Sequence, residues 1–270
     1  MKQILVPTDF SKTADGAFRV ACEIAKRRGA RIVVHNVYGI PYDVNSIMID
    51  VTDVLQETAE NSMKDFLSAY KKDYPELEIE GTCSFGTVAD TIFKKAIDFD
   101  LVVMGTNGSS GLEEFFIGSN TASVISQISK TPILSIPNGF SFLNFKSAIL
   151  ALSSSDQNQK ETLDDLVNIL EDFGIENIEA VSVQKEDKTT EQERETFVKD
   201  ITKLLSEKKH TINFLEDDDV ESALLNYASP QDLIVVVAKK HSFFDSLFHK
   251  SISKRLAMHS QNALLVLKDI

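Results

Sequence analysis

The chain has 270 residues, of which 43% are hydrophobic and 26% charged, and its formal net charge is −13. This length predicts two domains of ordinary size, and the composition excludes a fibrous or largely disordered protein. The acidic balance argues against a nucleic-acid partner, because binding the phosphate backbone requires clustered Lys and Arg side chains. Since no stretch approaches the roughly 20 apolar residues of a membrane span, we expect a cytoplasmic protein that does not bind membranes.

Strands and helices alternate over the first half of the chain. Short apolar runs predict the strands, and apolar residues at helical spacing predict the helices between them. In chain order these are strand 3–8, helix 11–29, strand 31–39, helix 53–74, strand 77–85, helix 87–99, strand 100–105, helix 120–129 and strand 132–137. The alternation is typical of a doubly wound α/β domain with a parallel sheet.

The same order of elements begins again at residue 147. The predicted elements are strand 147–153, helix 156–174, strand 175–183, helix 188–208, strand 211–217, helix 220–228, strand 232–238, helix 251–260 and strand 262–267. "FDLVVMG" in the first half resembles "QDLIVVVA" in the second. We therefore predict a tandem repeat of two Rossmann-like α/β domains, residues 1–138 and 146–270. Each is expected to be a five-stranded parallel sheet in the order 3-2-1-4-5 with helices on both faces.

Glycine does not follow this repeat. Four of the eleven glycines lie within fourteen residues after the fourth strand: Gly105, Gly108, Gly111 and Gly118. Beyond Gly139 in the linker, the second half contains only Gly174. The same fold is predicted twice, but only the first half has the glycine cluster. A ligand that closely approaches backbone without side chains therefore explains the cluster better than folding alone.

Two loops are expected to meet where the first and fourth strands end. In an open parallel sheet the ligand crevice lies at this point, beyond the carboxyl ends of the strands. One loop is "PTDFS", residues 7–11, and the other runs from the glycine cluster to Ser119, a predicted N-cap of the fourth helix. Exposed N–H groups at a helix N-terminus favour an anion, although turn geometry and capping alone would also explain these residues. We favour phosphate binding over those structural roles.

The spacing G-x-x-G, nine residues, then G-S excludes a P-loop and the standard dinucleotide fingerprint. Together with "PTDFS" it resembles the ATP-binding members of the universal stress protein family, whose fold is similar to that of the adenine nucleotide alpha hydrolases. The resemblance covers both halves in element order, but only the first half carries the motif. It implies ATP or a related adenine nucleotide in the first domain, with or without Mg²⁺, and a regulatory role in the stress response.

Carried over position by position, the resemblance implies one set of cofactor-binding residues. These are Pro7, Thr8, Asp9, Asn36, Met104, Gly105, Gly108, Gly118, Ser119 and Asn120. Asn36 takes a place that the family usually gives to an aliphatic residue, so a backbone contact to adenine survives there but apolar packing is in doubt.

No catalytic residue is identifiable, because no carboxylate pair, Ser/His/Asp set or metal-ligand spacing stands out. We therefore favour binding over turnover, with a slow ATPase or phosphotransferase and a nucleotide-independent scaffold as alternatives. Asp9 is expected to contact nucleotide or Mg²⁺-bound water, although helix capping, for which Ser11 competes, is the alternative. His35, Cys22 and Cys83 are expected to be core residues rather than metal ligands or redox groups.

The second half departs from the motif at the equivalent turn, where glycine is absent. His249 or Lys250 stands at the predicted helix entrance, so we expect no ATP there. A basic cluster around it would suit an anion or an acidic partner, although a solvated loop is the better interpretation. The final strands of the two halves are expected to pair across subunits, giving a homodimer, or within one chain, giving a pseudo-dimer. Protein partners are not predicted.

Overall fold

The structure, a computed structural model, describes residues 1–39, 51–106, 119–127, 130–140, 145–152, 160–184, 190–206, 208–238 and 262–268. Within these ranges the strands are β1 (Gln3–Thr8), β2 (Arg31–Tyr38), β3 (Ile79–Phe85), β4 (Leu101–Gly105), β5 (Ile133–Ile136), β6 (Ala148–Ala151), β7 (Asn177–Gln184), β8 (Lys209–Glu216), β9 (Leu233–Ala238) and β10 (Leu264–Lys268). The helices are α1 (Lys12–Arg28), α2 (Thr52–Tyr70), α3 (Val88–Ala96), α4 (Ser119–Gln127), α5 (Lys160–Phe173), α6 (Glu191–Leu204) and α7 (Val220–Tyr227). The predicted helix 251–260 lies outside the described residues.

The strands form one sheet in the order β3-β2-β1-β4-β5-β10-β9-β6-β7-β8. The first five are parallel and confirm the predicted order 3-2-1-4-5. Read inward from its outer edge, the second half has the corresponding order β8-β7-β6-β9-β10. The halves join where β10 runs antiparallel to β5, with Leu265 opposite Leu134. The domain boundaries at 138 and 146 stay a prediction, because the sheet is continuous across them.

Helices cover both faces of this sheet, and each face has its own apolar core. One core contains side chains of α1, α2, α5 and α6, and the other contains side chains of α3, α4 and α7. The strands are almost wholly apolar at the centre of the sheet because both of their faces are covered. Successive residues of one strand therefore belong to different cores, as Leu5 and Val6 of β1 do.

Two helices have different boundaries from those that the sequence predicted. The helix predicted over 53–74 ends at Tyr70, and a turn follows in which the N–H groups of Asp73 and Tyr74 both donate to the Tyr70 carbonyl oxygen. The helix predicted from residue 188 begins at Glu191. Thr190 and Glu193 form a capping box there, in which each side chain accepts a hydrogen bond from the backbone N–H of the other.

A second junction joins the halves through the C-terminal ends of α1 and α5. Arg28 forms an ion pair with Asp172, a carboxylate that is only 5% exposed. Arg27 donates through Nη1 to the carbonyl oxygen of Phe173 at 2.5 Å. Gly174 has a positive φ of 73°, and a Cβ atom there would collide with the guanidinium of Arg27. This contact and the left-handed backbone explain the glycine of the second half without a ligand.

None of the helices in the described part of the chain combines the length and apolar character that crossing a membrane requires.

His35 belongs to the core, as the sequence predicted. Its ring is 1% exposed, and its Nδ1 lies 2.7 Å from Oγ1 of Thr82 on β3. Nε2 has no hydrogen-bond partner among the described residues. Burial, with a smaller contribution from the charge of Lys95, lowers the pKa of His35 to about 4. The ring is therefore neutral in the folded protein at neutral pH.

We expect His35→Gln to reduce the pH dependence of stability. Unfolded histidine titrates near pH 6.5 and folded His35 near pH 4, so the unfolded state binds more protons between these values. The wild type therefore loses stability as the pH falls from 6.5 towards 4, by about 2 kcal/mol between pH 7 and pH 5. Urea unfolding at several pH values measures the slope. His210→Gln, at a half-buried ring on β8, is the matched control, and an unchanged slope in His35→Gln would contradict the assignment.

Candidate functional site

The carboxyl ends of β2, β1 and β4 lie side by side in the sheet. Thr8 at the end of β1 is opposite Asn36 on β2. On its other side β1 pairs in parallel with β4, with Leu5 opposite Val102, and β4 ends at Gly105. The two loops that the sequence predicted to converge therefore leave the sheet from neighbouring strands.

The turn after β1 is held by its own side chains. Oγ1 of Thr8 accepts a hydrogen bond from the N–H of Phe10 at 2.9 Å, and Oδ1 of Asp9 accepts one from the N–H of Ser11 at 3.0 Å. Phe10 has a φ of +61°, which is unfavourable for a residue with a side chain and is found mostly at sites that over-determine the backbone. The turn is thus fixed in a strained conformation.

Ser11, not Asp9, caps α1. Its backbone is extended, and its hydroxyl oxygen accepts a hydrogen bond from the N–H of Ala14. The Asp9 side chain is exposed and shapes the preceding turn through the contact with Ser11. The capping role that we considered for Asp9 is therefore wrong, because Ser11 occupies the N-cap position.

A side-chain hydrogen bond from Asn36 connects β2 to the end of β1. Its Nδ2 donates to the carbonyl oxygen of Thr8 at 2.8 Å, and both residues are 7% exposed. The bond to Thr8 fixes which way the amide points, so Oδ1 is the atom of this side chain that is left to accept a hydrogen bond.

Close packing against α1 explains why position 105 has no side chain. A Cβ atom there would lie 2.9 Å from Cγ2 and 3.0 Å from the backbone carbonyl atoms of Thr13, in the first turn of α1. Its φ is not positive, so the close approach of α1, and not a left-handed backbone, accounts for the absence of a side chain. On the other side Oγ1 of Thr121, in the first turn of α4, donates to the Gly105 carbonyl oxygen at 2.9 Å. The N-terminal turns of α1 and α4 therefore both contact one strand end.

The remaining predicted residues divide into three groups. Gly108 and Gly118 lie outside the described residues. Ser119 is the first residue of α4, and Asn120 beside it is exposed. Met104 is 4% exposed and belongs to the core that contains residues of α3 and α4, and Pro7 is buried. By the alternation of side chains along a strand, these two lie on the opposite face of the sheet from Thr8 and Gly105.

Three residues of the candidate site are not among the cofactor-binding residues that the resemblance implies. Phe10 carries the strained backbone, while Thr13 and Thr121 make the contacts with Gly105 described above. Phe10 lies within "PTDFS" and Thr13 lies two residues after it. Nothing in their spacing indicates a positive φ or a tertiary contact. Thr121 follows the predicted residues Ser119 and Asn120, and only the three-dimensional packing distinguishes it from them.

The described part of the chain contains no group of three His, Cys, Asp or Glu side chains placed to hold a metal ion. Burial raises the pKa of the Cys22 thiol, and burial together with the Glu60 carboxylate raises that of Cys83. Both cysteines are therefore thiols at neutral pH. The basic cluster predicted at residues 239–250 lies outside the described residues.

Comparison with known proteins assigns the family. The model of the Universal stress protein family matches residues 1–137, half of the chain. The chain belongs to the universal stress protein family. A relative from Staphylococcus saprophyticus, itself named as a universal stress protein, is 30% identical over 130 residues, which span 46% of this chain and 77% of the relative. A Staphylococcus aureus relative with the same family name is 28% identical over 134 residues, with the same shares of both chains.

Solved structures resemble the whole described fold. The crystal structure of a universal stress protein from Archaeoglobus fulgidus has a TM-score of 0.74 at 18% identity, and the match covers 98% of this chain and 96% of that one. A Pseudomonas aeruginosa structure with the same family name has a TM-score of 0.65 at 9% identity, covering 99% and 93% of the two chains. At these identities the likeness shows the fold, which spans both halves.

We expect Gly105→Ala to destabilise this universal stress protein without any ligand present. The new methyl group would press on the backbone of Thr13, and overpacking of this kind costs about 2 kcal/mol. Urea unfolding in nucleotide-free buffer measures the loss. Unchanged stability would instead mean that α1 moves away freely and that the glycine serves another purpose.

Proposed function

We propose that the first half of the chain binds an adenine nucleotide, ATP with or without Mg²⁺, at the carboxyl ends of β1, β2 and β4. Nucleotide occupancy would serve regulation in the stress response, as membership of the universal stress protein family suggests. The second half, which lacks the glycine pattern, is proposed to support the first half rather than to bind ATP itself.

The observation that carries the proposal is the convergence of two helix N-termini on Gly105. The first turn of α1 touches this residue through Thr13, and the first turn of α4 does so through Thr121. Each helix N-terminus carries a partial positive charge and N–H groups without intrahelical partners. Two such ends at one strand terminus favour an anionic group locally, even in a chain of net charge −13.

The phosphates are proposed to contact the loop between β4 and α4. The pattern of Gly108, Gly118 and Ser119 supports this through the family resemblance, together with the start of α4 at Ser119. Asn120 is exposed at the same helix end and is proposed to reach the phosphates or ribose. For Met104, Gly105 and Pro7 we propose backbone contacts, since Met104 and Pro7 are buried and Gly105 has no side chain.

The nucleoside is proposed to lie against Thr8, Asp9 and Asn36. The turn that contains Asp9 is held by two side-chain hydrogen bonds, so its carboxylate is already positioned for a ribose hydroxyl or a Mg²⁺-bound water. Oδ1 of Asn36 is an acceptor, and it would match the 6-amino group of adenine but not a 6-oxo group.

Nucleotide binding is tested by isothermal titration with ATP, with and without Mg²⁺. We expect saturable binding to the wild type and at least a tenfold loss in Gly118→Val, because a branched side chain would exclude phosphate from the backbone. Gly111→Val is the matched control, since Gly111 belongs to the same cluster but not to the pattern. Absence of binding in the wild type, or equal losses in the two variants, would refute the assigned site.

Base selectivity is tested by comparing ATP with inosine triphosphate, which has a 6-oxo group. We expect the wild type to prefer ATP by about tenfold, because an acceptor facing an oxo group is left without a partner. Asn36→Leu should reduce this preference, and a denaturation curve controls for the lost bond to Thr8. Equal affinity for both nucleotides in the wild type would contradict the role of Asn36 while leaving nucleotide binding itself intact.

A further inference from the structure

The sheet has two outer edges among the described residues, β3 and β8, because β5 and β10 pair with each other. An unpaired edge exposes a row of backbone N–H and C=O groups that can pair with another strand. The two edges differ in how the neighbouring helix covers them. At β8, the guanidinium of Arg194 on α6 lies 5.4 Å from the ring centroid of Phe214 and pairs with Glu216. That edge is therefore partly covered by its own helix.

At β3 the neighbouring helix leaves a cleft of about 730 Å³. Its floor is formed by β3 residues Ile79, Gly81 and Cys83. One wall is the flank of α2 together with Lys71, the residue that follows the helix, and along it Glu60, Lys64, Ser68 and Lys71 line the cleft. These wall residues recur every three or four positions, so they form one stripe along the helix.

The backbone of β3 is oriented for strand pairing beside this cleft. The carbonyl of Glu78 accepts a hydrogen bond from Ile32 of β2, and the N–H of Gly86 donates to Tyr38 of β2. In a parallel ladder alternate residues point to one neighbour, so the even-numbered residues of β3 bond with β2. Ile79, Gly81, Cys83 and Phe85 therefore direct their N–H and C=O groups outward, where no described residue pairs with them.

The charges on the α2 stripe are ordered along the helix. Continued towards the N-terminus at the same spacing, the stripe includes Glu57 and Asp53, so its first half is acidic, whereas Lys64 and Lys71 make its second half basic. With Glu60 the stripe has five charged side chains, and all five are exposed. None of them has an oppositely charged partner within 4 Å among the described residues.

We propose that a second copy of this chain pairs with the first through antiparallel β3 strands. A two-fold axis perpendicular to the sheet would bring the two α2 flanks together on one face and close the cleft between them. It would also set the acidic half of each flank against the basic half of the other, so the same surface complements itself, as a two-fold interface requires. This dimer does not depend on nucleotide binding.

The proposal is tested by sedimentation velocity over a dilution series. We expect a dimer that dissociates on dilution and a dissociation constant raised at least tenfold in Lys64→Glu, because this change sets like charges against each other. The double variant Glu60→Lys with Lys64→Glu restores complementarity and should recover much of the affinity. Lys72→Glu, which alters the neighbouring lysine outside the cleft, is the matched control.

A second variant tests the strand pairing itself. Cys83→Pro removes an outward N–H but none of the bonds to β2, so we expect a folded monomer. In the wild type a short bis-maleimide should join two copies through Cys83, since Cys22 is fully buried, and Cys83→Ser should abolish the product. A monomer at every concentration would overturn the proposal. So would a dimer that withstands both Lys64→Glu and Cys83→Pro, because it would use another surface.

Discussion

The antiparallel pairing of β5 with β10 is the constraint on which the rest of the structure depends. Each half on its own would end in an exposed edge strand at this position, and main-chain hydrogen bonds across the pair convert two sheets into one of ten strands. Because β5 and β10 pair with each other, only β3 and β8 remain as outer edges of the described sheet. The junction therefore determines where another copy of the chain can add a strand.

The connection of α1 with α5 reinforces this junction from one face. Arg27 and Arg28 end α1 with two positive charges, which meet the carbonyl end of α5 and the carboxylate of Asp172. A basic group near a helix C-terminus is favourable because it faces the negative end of the helix dipole. One helix thus contributes its C-terminus to the union of the halves and its N-terminus to the candidate site.

Glycine is needed at different positions for different physical reasons. Gly174 is required by a left-handed helix terminus and by the approach of Arg27, whereas Gly105 is required by the approach of α1 to a strand end. Neither needs a ligand to explain it. The inference that the glycine cluster reports nucleotide binding therefore depends on Gly108 and Gly118, where the family pattern and not the packing supplies the argument. Gly111 has no assigned role.

The sequence by itself determined the alternation of elements through apolar periodicity and the family through a spaced motif, and the fold that these two imply carries the order of the first five strands. It also indicated that "PTDFS" and the residues around Gly105 come together. Only the tertiary structure decided that Ser11 caps α1, that Phe10 carries the strained backbone, that Met104 faces the core and that Asn36 is bound to Thr8. These features depend on which strand face a side chain occupies and on distances between segments far apart in the chain, and local pattern carries neither.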